Sequence, residues 1–192
     1  MITKCKKGII TWLIKSGVIE ASDRELYEYA LHSLWLLVAP LIIAIVFGII
    51  MGSPGEAVIM ILPFMAVRKF SGGYHAKRER NCLIGSSLLV MLCIYCTDHL
   101  EYGVTISICL ILATISLTIF SPINSENHRL DSDEKSRYKV VTAVIAIIVC
   151  ALSIILATVG FSAAAVCIAV GQILSAVLQI PCVVMHLMKI EY

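Results

Sequence analysis

The sequence predicts an all-α fold: a polytopic membrane helix bundle with about six membrane segments, forming a single domain over residues 1–192. Three observations carry this expectation. Hydrophobic residues make up 59% of the chain and charged residues only 15%, whereas a soluble domain carries about 25% charged residues. The mean hydropathy is +0.94. The apolar residues gather into runs of membrane-crossing length, and the Lys and Arg residues gather into the intervals between alternate runs.

The first element, within residues 1–32, is an amphipathic helix. Lys4, Lys7, Thr11 and Lys15 recur at helical spacing, while Ile2, Cys5, Ile9, Trp12 and Leu13 line the other side. Such a helix lies in the cytoplasmic headgroup plane or packs on the protein's own cytoplasmic surface; both remain open. Lys15 and Glu20 interrupt the apolar stretch that a cleavable signal would need, so none is expected. The run Ser-Asp-Arg-Glu at 22–25 reads as a capping box opening the next helix.

The membrane segments follow at 33–50, 57–67, 83–97, 103–120, 140–158 and 163–185. Each approaches the roughly 20 apolar residues that a crossing requires, except 57–67. That run has eleven residues and contains Pro63, so it is as readily re-entrant as spanning. Pro40 is expected to kink the first segment.

Charge sets the orientation. All Lys and Arg residues fall in the N-terminal segment, in 68–82, in 121–139, or at Lys189. The turns at 51–56, 98–102 and 159–162 hold only Glu56, Asp98 and Glu101 among charged residues. With six crossings every basic cluster lies on one side, and the positive-inside rule makes that side cytoplasmic. Both termini are then cytoplasmic. No charged residue interrupts a span, which argues against an ion pump or a proton-coupled carrier.

The stretch Arg-Lys-Phe-Ser-Gly-Gly-Tyr-His-Ala-Lys-Arg-Glu-Arg-Asn-Cys, 68–82, concentrates the reactive chemistry. Cys82 follows Lys77, Arg78 and Arg80, whose positive field favours the thiolate. His75 is the nearby base, and a Cys–His pair is the minimal constellation for thiol attack on a carbonyl. On a continuous helix, seven residues rise about 10.5 Å, too far for the two side chains to meet. A direct pair therefore needs a break between them, which Gly72 and Gly73 permit. His75 is expected on a loop or turn, with Cys82 opening the next helix, where the dipole lowers the thiol pKa further. The plainer alternative is an ordinary basic juxtamembrane loop with an inert Cys.

The order of these residues is more specific than their composition. Arg68, Ser71, Gly72, Gly73, Tyr74, His75, Ala76 and Cys82 resemble the signature of the accessory gene regulator B (AgrB) family, bacterial membrane cysteine endopeptidases that mature quorum-sensing peptides. A second region, 121–139, is similar to the family's second cytoplasmic loop, with Ser121, Pro122, Asn127, Glu134, Lys135 and Arg137 fitting. His128 and Arg129 stand where Lys-Pro is usual. The resemblance covers nearly the whole chain.

The resemblance implies that 68–82 is a catalytic cytoplasmic loop, with Cys82 the nucleophile and His75 the base. Its partner is an AgrD-like propeptide with an acidic C-terminal tail, which Cys82 cuts through a thioester intermediate. A propeptide Cys or Ser then closes a thiolactone or lactone ring. The substrate-binding candidates are Arg68, whose guanidinium holds carboxylates bidentately, with Gly73, Lys77, Arg78, Lys135 and Arg137. Each of these charges could equally be a solvated positive-inside residue. Glu79 could orient His75, or pair on the surface with Arg78 or Arg80. A homodimer, contact with membrane lipid and localisation to the bacterial cell membrane are also implied. No cofactor and no nucleic-acid partner is expected. The competing readings are a peptide transporter and a non-catalytic membrane scaffold.

Two further groupings stand out. Cys93, Cys96, Asp98 and His99 have ligand-like spacing, but the cysteines lie inside a span, where Cys serves as a small hydrophobe. No metal site and no structural disulfide is expected. Gln172 and Gln179, beside Gly171, Ser175 and Ala176, are typical of helix–helix contacts in membranes and suit a dimer interface or a cavity.

Overall fold

The computed structural model describes residues 2–71, 79–123 and 132–187, and its elements are all helical among them. They are α1 (Ile2–Lys15), a 3-10 turn (Ala21–Asp23), α2 (Arg24–Met51), α3 (Pro54–Ser71), α4 (Glu79–His99), α5 (Val104–Phe120), α6 (Ser132–Val159), α7 (Ser162–Val177) and α8 (Ile180–Leu187). The chain forms two compact units, Met1–Ile42 and Ile43–Tyr192.

In the first unit, α1 ends on Gly17, whose φ is +68°. Gly17 N–H donates to Ile14 C=O and Val18 N–H to Leu13 C=O, the paired bonds of a Schellman cap. Ile10 is buried, while Ile9 and Trp12 are exposed. The capping box expected at 22–25 does not form: the Ser22 hydroxyl donates to the Glu20 carboxylate at 3.3 Å, and the 3-10 turn leads into α2 instead. Arg24 and Glu28, one helical turn apart, form an exposed ion pair at 3.1 Å. The two units divide just after Pro40, which α2 carries within it and which cannot donate to the preceding turn.

The second unit is built around α7, which packs against α3, α4, α5 and α6. Two helical stretches are long and apolar enough to cross a membrane, Asp133–Val159 and Ser162–Val184. The latter is 61% buried and the former 17%, so α7 is the centre of the bundle and α6 part of its wall. On α6, Val140, Val144, Ile147, Ile148, Leu152, Ile155 and Val159 form one exposed apolar stripe, and Ile108, Ile111, Leu112, Ile115 and Ile119 form another on α5. Faces of this extent are not left open to water by soluble monomers; they are consistent with a membrane protein.

Tight turns join the helices. Gly52 (φ +82°) and Gly160 (φ +98°) close α2 and α6. Each repeats the cap of α1: Gly52 N–H bonds Ile49 C=O and Ser53 N–H bonds Gly48 C=O, while Gly160 N–H bonds Ala157 C=O and Phe161 N–H bonds Leu156 C=O. The last carbonyls of both helices are thus satisfied within the chain, and only glycine adopts this left-handed conformation at little cost.

Three boundaries differ from the hydrophobic pattern. The run 57–67 is part of an 18-residue helix, α3, about 27 Å long; Pro54 begins it, where a missing N–H costs nothing. The acidic-basic run at 132–139 is not loop but the first turns of α6; Asp133 and Glu134 sit at its N-terminus, where the dipole favours them. The segment 163–185 is divided into α7 and α8 at Leu178–Gln179, because Pro181 cannot continue the ladder of α7.

Polar side chains tie α7 to its neighbours. Gln172 Nε2 donates to Thr114 Oγ1 at 2.8 Å and to Ala146 C=O at 3.1 Å. Ser153 Oγ donates to Ala165 C=O at 2.8 Å, linking α6 to α7. Gln172 and Gln179 are fully buried, so the two amides lie inside this chain's own bundle and not on a face open to a second copy. One level toward the C-terminal end of α7, Val67, Ala113, Leu117, Ala146 and Ala176 form an apolar cluster drawn from α3, α5, α6 and α7.

Candidate active site

The site end of the bundle is where α3 and α5 end and α6 begins. Three contacts bring these ends together. Ile123 N–H donates to Ser71 C=O at 3.0 Å. The rings of Phe70 and Tyr138 meet edge-on, their centroids 5.7 Å apart. Gln179 Nε2, in the turn between α7 and α8, donates to Ser121 Oγ at 2.9 Å. Phe70 and Ser71 therefore lie beside Ile123 and Tyr138, far from them in the sequence.

The Ile123–Ser71 bond has a local reason. Ser71 is the last described residue of α3. Ser71 is fully buried, and the chain just beyond α5 supplies its carbonyl with a donor away from water. Pro122, between Ser121 and Ile123, has no N–H to offer.

Arg68 and Lys69 lie in the last turn of α3, where cations complement the helix dipole. Arg68 is half-buried, with Nη1 withdrawn from solvent. Lys69 is exposed, and its ammonium stands 5.4 Å from the centroid of the Phe70 ring, within cation–π range. Lys135 and Arg137 are exposed on the first turns of α6. The surface is basic and able to receive carboxylates.

Glu79 and Cys82 fall in the first described turn of α4. The expectation that Cys82 opens a helix turns on residues 72–78, which lie outside the described residues. Gly73, His75, Lys77 and Arg78 lie outside the described residues, and so does the expected break between His75 and Cys82.

The cysteine-rich stretch at 93–99 has another role for its histidine. His99 Nδ1 donates to Tyr95 C=O at 2.9 Å, and its ring stacks on that of Tyr95 at 4.4 Å. Among the described residues no three His, Cys, Asp or Glu side chains are grouped as metal ligands.

Sequence reasoning missed the ties that assemble this end. Gln179 was visible as a polar residue in an apolar run, but its partner Ser121 was not. Phe70 and Tyr138 carried no local signal.

Comparison with known protein families gives a match over most of the chain. The family model of accessory gene regulator B matches residues 6–180. That range contains both basic segments, 68–82 and 121–139. No curated protein and no solved structure matches the chain.

Proposed function

The chain belongs to the accessory gene regulator B family, and from that premise we propose that it is a membrane cysteine endopeptidase with Cys82 as nucleophile and His75 as base. Membership ties the chain to processing of the autoinducer in an agr quorum-sensing system. The observation that carries the finer reading is the family match across 6–180, which takes in the ordered run Arg68–Cys82 with its Cys and His.

The substrate is an AgrD-like propeptide. His75 takes the Cys82 proton, and the thiolate adds to the carbonyl before the acidic tail. The C–N bond breaks, the tail's new amine takes its proton from the His75 imidazolium, and a Cys82 thioester remains. A propeptide thiol or hydroxyl then adds to the thioester carbonyl. The C–S bond to Cys82 breaks, the ring closes, and the thiolate regains its proton. A helix start favours the thiolate, and Cys82 lies near the start of α4. Backbone N–H groups of the same turn could receive the oxyanion, and Glu79 orients His75.

Arg68 receives the acidic tail, with Gly73, Lys77, Arg78, Lys135 and Arg137 around it. The exposure of Lys135 and Arg137 and the half-burial of Arg68 support this division of labour. The one-sided distribution of Lys and Arg supports six crossings with the site and both termini in the cytoplasm. The exposed Trp12 and the lysines of α1 suit an anionic lipid surface. The family reading also carries a homodimer.

The test uses purified protein in lipid with a synthetic propeptide, and measures release of the free tail. The unaltered protein releases it, whereas Cys82→Ala and His75→Ala do not. Release by Cys82→Ala at the unaltered rate would refute the mechanism.

A further inference from the structure

Gln179, Ser121, Ile123 and Ser71 form a continuous strap. It runs from the central helix through the segment after α5 to the residue immediately before Gly72. Gln179 Nε2 holds Ser121 Oγ at 2.9 Å. Two residues on, Ile123 N–H holds Ser71 C=O at 3.0 Å. Gln179 and Ser71 are fully buried and Ser121 is 4% exposed, while Ile123 is half-buried, so the Gln179–Ser121 bond is shielded from water and the Ser71 carbonyl is withdrawn from it.

We propose that Gln179 and Ser121 are positioning residues of the peptidase: they hold the post-α5 segment on the Ser71 carbonyl, and so fix the backbone that precedes Gly72 and His75 in the sequence. The proposal rests on the reading of Cys82 and His75 given above.

Two observations favour positioning over simple helix packing. First, Gln179 keeps its amide Oε1 buried with no hydrogen-bond partner among the described residues. An apolar side chain would pack there without leaving an unmet acceptor, so the amide is retained for its bond to Ser121. Second, the strap ends on Ser71, the residue that precedes the reactive stretch in the sequence. Gln172, one level deeper, bonds within the spans of α5 and α6 instead. Attack on a carbonyl tolerates little displacement, since a misplacement of about 1 Å can cost a hundredfold in rate. A hydroxyl that fixes the backbone at Ser71 acts on kcat without touching substrate.

The test compares Gln179→Leu, Ser121→Ala, Ser121→Thr and the double variant Ser121→Ala/Gln179→Leu in lipid. Two quantities are read: propeptide cleavage, as kcat and KM, and hydrogen exchange at the Ile123 amide. Either single loss should lower kcat about tenfold with KM changed less than about twofold. Ser121→Thr, which keeps the hydroxyl, should retain the rate. The double variant should be no slower than the singles, because one bond is removed in each. Exchange at Ile123 should quicken in all variants lacking the bond, while the α7 amides stay protected.

Unchanged exchange at Ile123 would overturn the strap whatever the activity. Quickened exchange with an unaltered kcat would overturn positioning, as would multiplying losses in the double variant or losses confined to KM. Cys82→Ala provides the separate control: cleavage by that variant, with exchange at Ile123 unaffected, would reject the peptidase reading and leave the strap standing.

Discussion

Gly171 of α7 lies directly against the backbone carbonyl oxygen of Met60 in α3, so closely that a Cβ at Gly171 would overlap it. The same Cβ would meet Pro63 Cγ at 3.1 Å. A backbone cannot yield as a side-chain tip does, so α3 and α7 meet at this distance only with glycine. Gly171→Ala should cost about 1–3 kcal/mol through overpacking, and Gly171→Val more. Thermal unfolding in detergent would show it. A Gly171→Val protein with unaltered stability would mean that the two helices do not pack this way.

The Gln172 bonds to Thr114 and Ala146 lie between helices in the bundle interior. Interhelical hydrogen bonds in membranes average about 0.6 kcal/mol and reach about 1.7, so Gln172→Ala should destabilise by that order plus a cavity term. Thr114→Val should cost less than Gln172→Ala, because Gln172 keeps its bond to the Ala146 carbonyl. Equilibrium unfolding of the two variants in lipid would rank them.

Arg68 and the pair Lys135 and Arg137 should separate on substrate binding. Arg68 is half-buried and the other two are exposed, and exposed charge pairs contribute about 0–1 kcal/mol. Arg68→Lys should raise KM for the propeptide about tenfold through loss of the bidentate fork. Lys135→Ala and Arg137→Ala should each raise it less than about fivefold, with an effect that fades as salt is raised. Steady-state cleavage at two ionic strengths reads both.

Topology makes an independent prediction. Cysteines introduced in a background lacking the native ones should react with an impermeant maleimide from outside the cell at Glu101→Cys and Phe161→Cys. Ser125→Cys and Tyr192→Cys should react only after the membrane is opened. Labelling of Ser125→Cys in intact cells would reverse the orientation set by the basic clusters.

The helical class was legible because apolar runs and the alternation of basic clusters report on the solvent around each helix. The apolar part of α4 was legible for a similar reason: the basic run ends and the apolar run begins at Cys82. Helix ends were less legible. Ser132–Lys139 is helical despite its charge, since α6 extends past its apolar run, and Ser22 caps its neighbour Glu20 rather than α2. The site's assembly was not legible at all. Ser71 and Ile123, or Phe70 and Tyr138, meet only when α3, α5 and α6 are packed, and nothing local in either partner encodes the other. Gln179 was conspicuous as an amide in an apolar run, but sequence gave no means to choose between an outer face and the bundle interior.

The most direct test of the central claim is intact-mass spectrometry of the protein in lipid, mixed with its propeptide and quenched in acid. The account predicts an adduct on Cys82 equal in mass to the propeptide without its tail, released by hydroxylamine as a thioester should be, and absent from Cys82→Ala. Tail release with no adduct on Cys82 at any time, or an adduct that persists in Cys82→Ala, would contradict it.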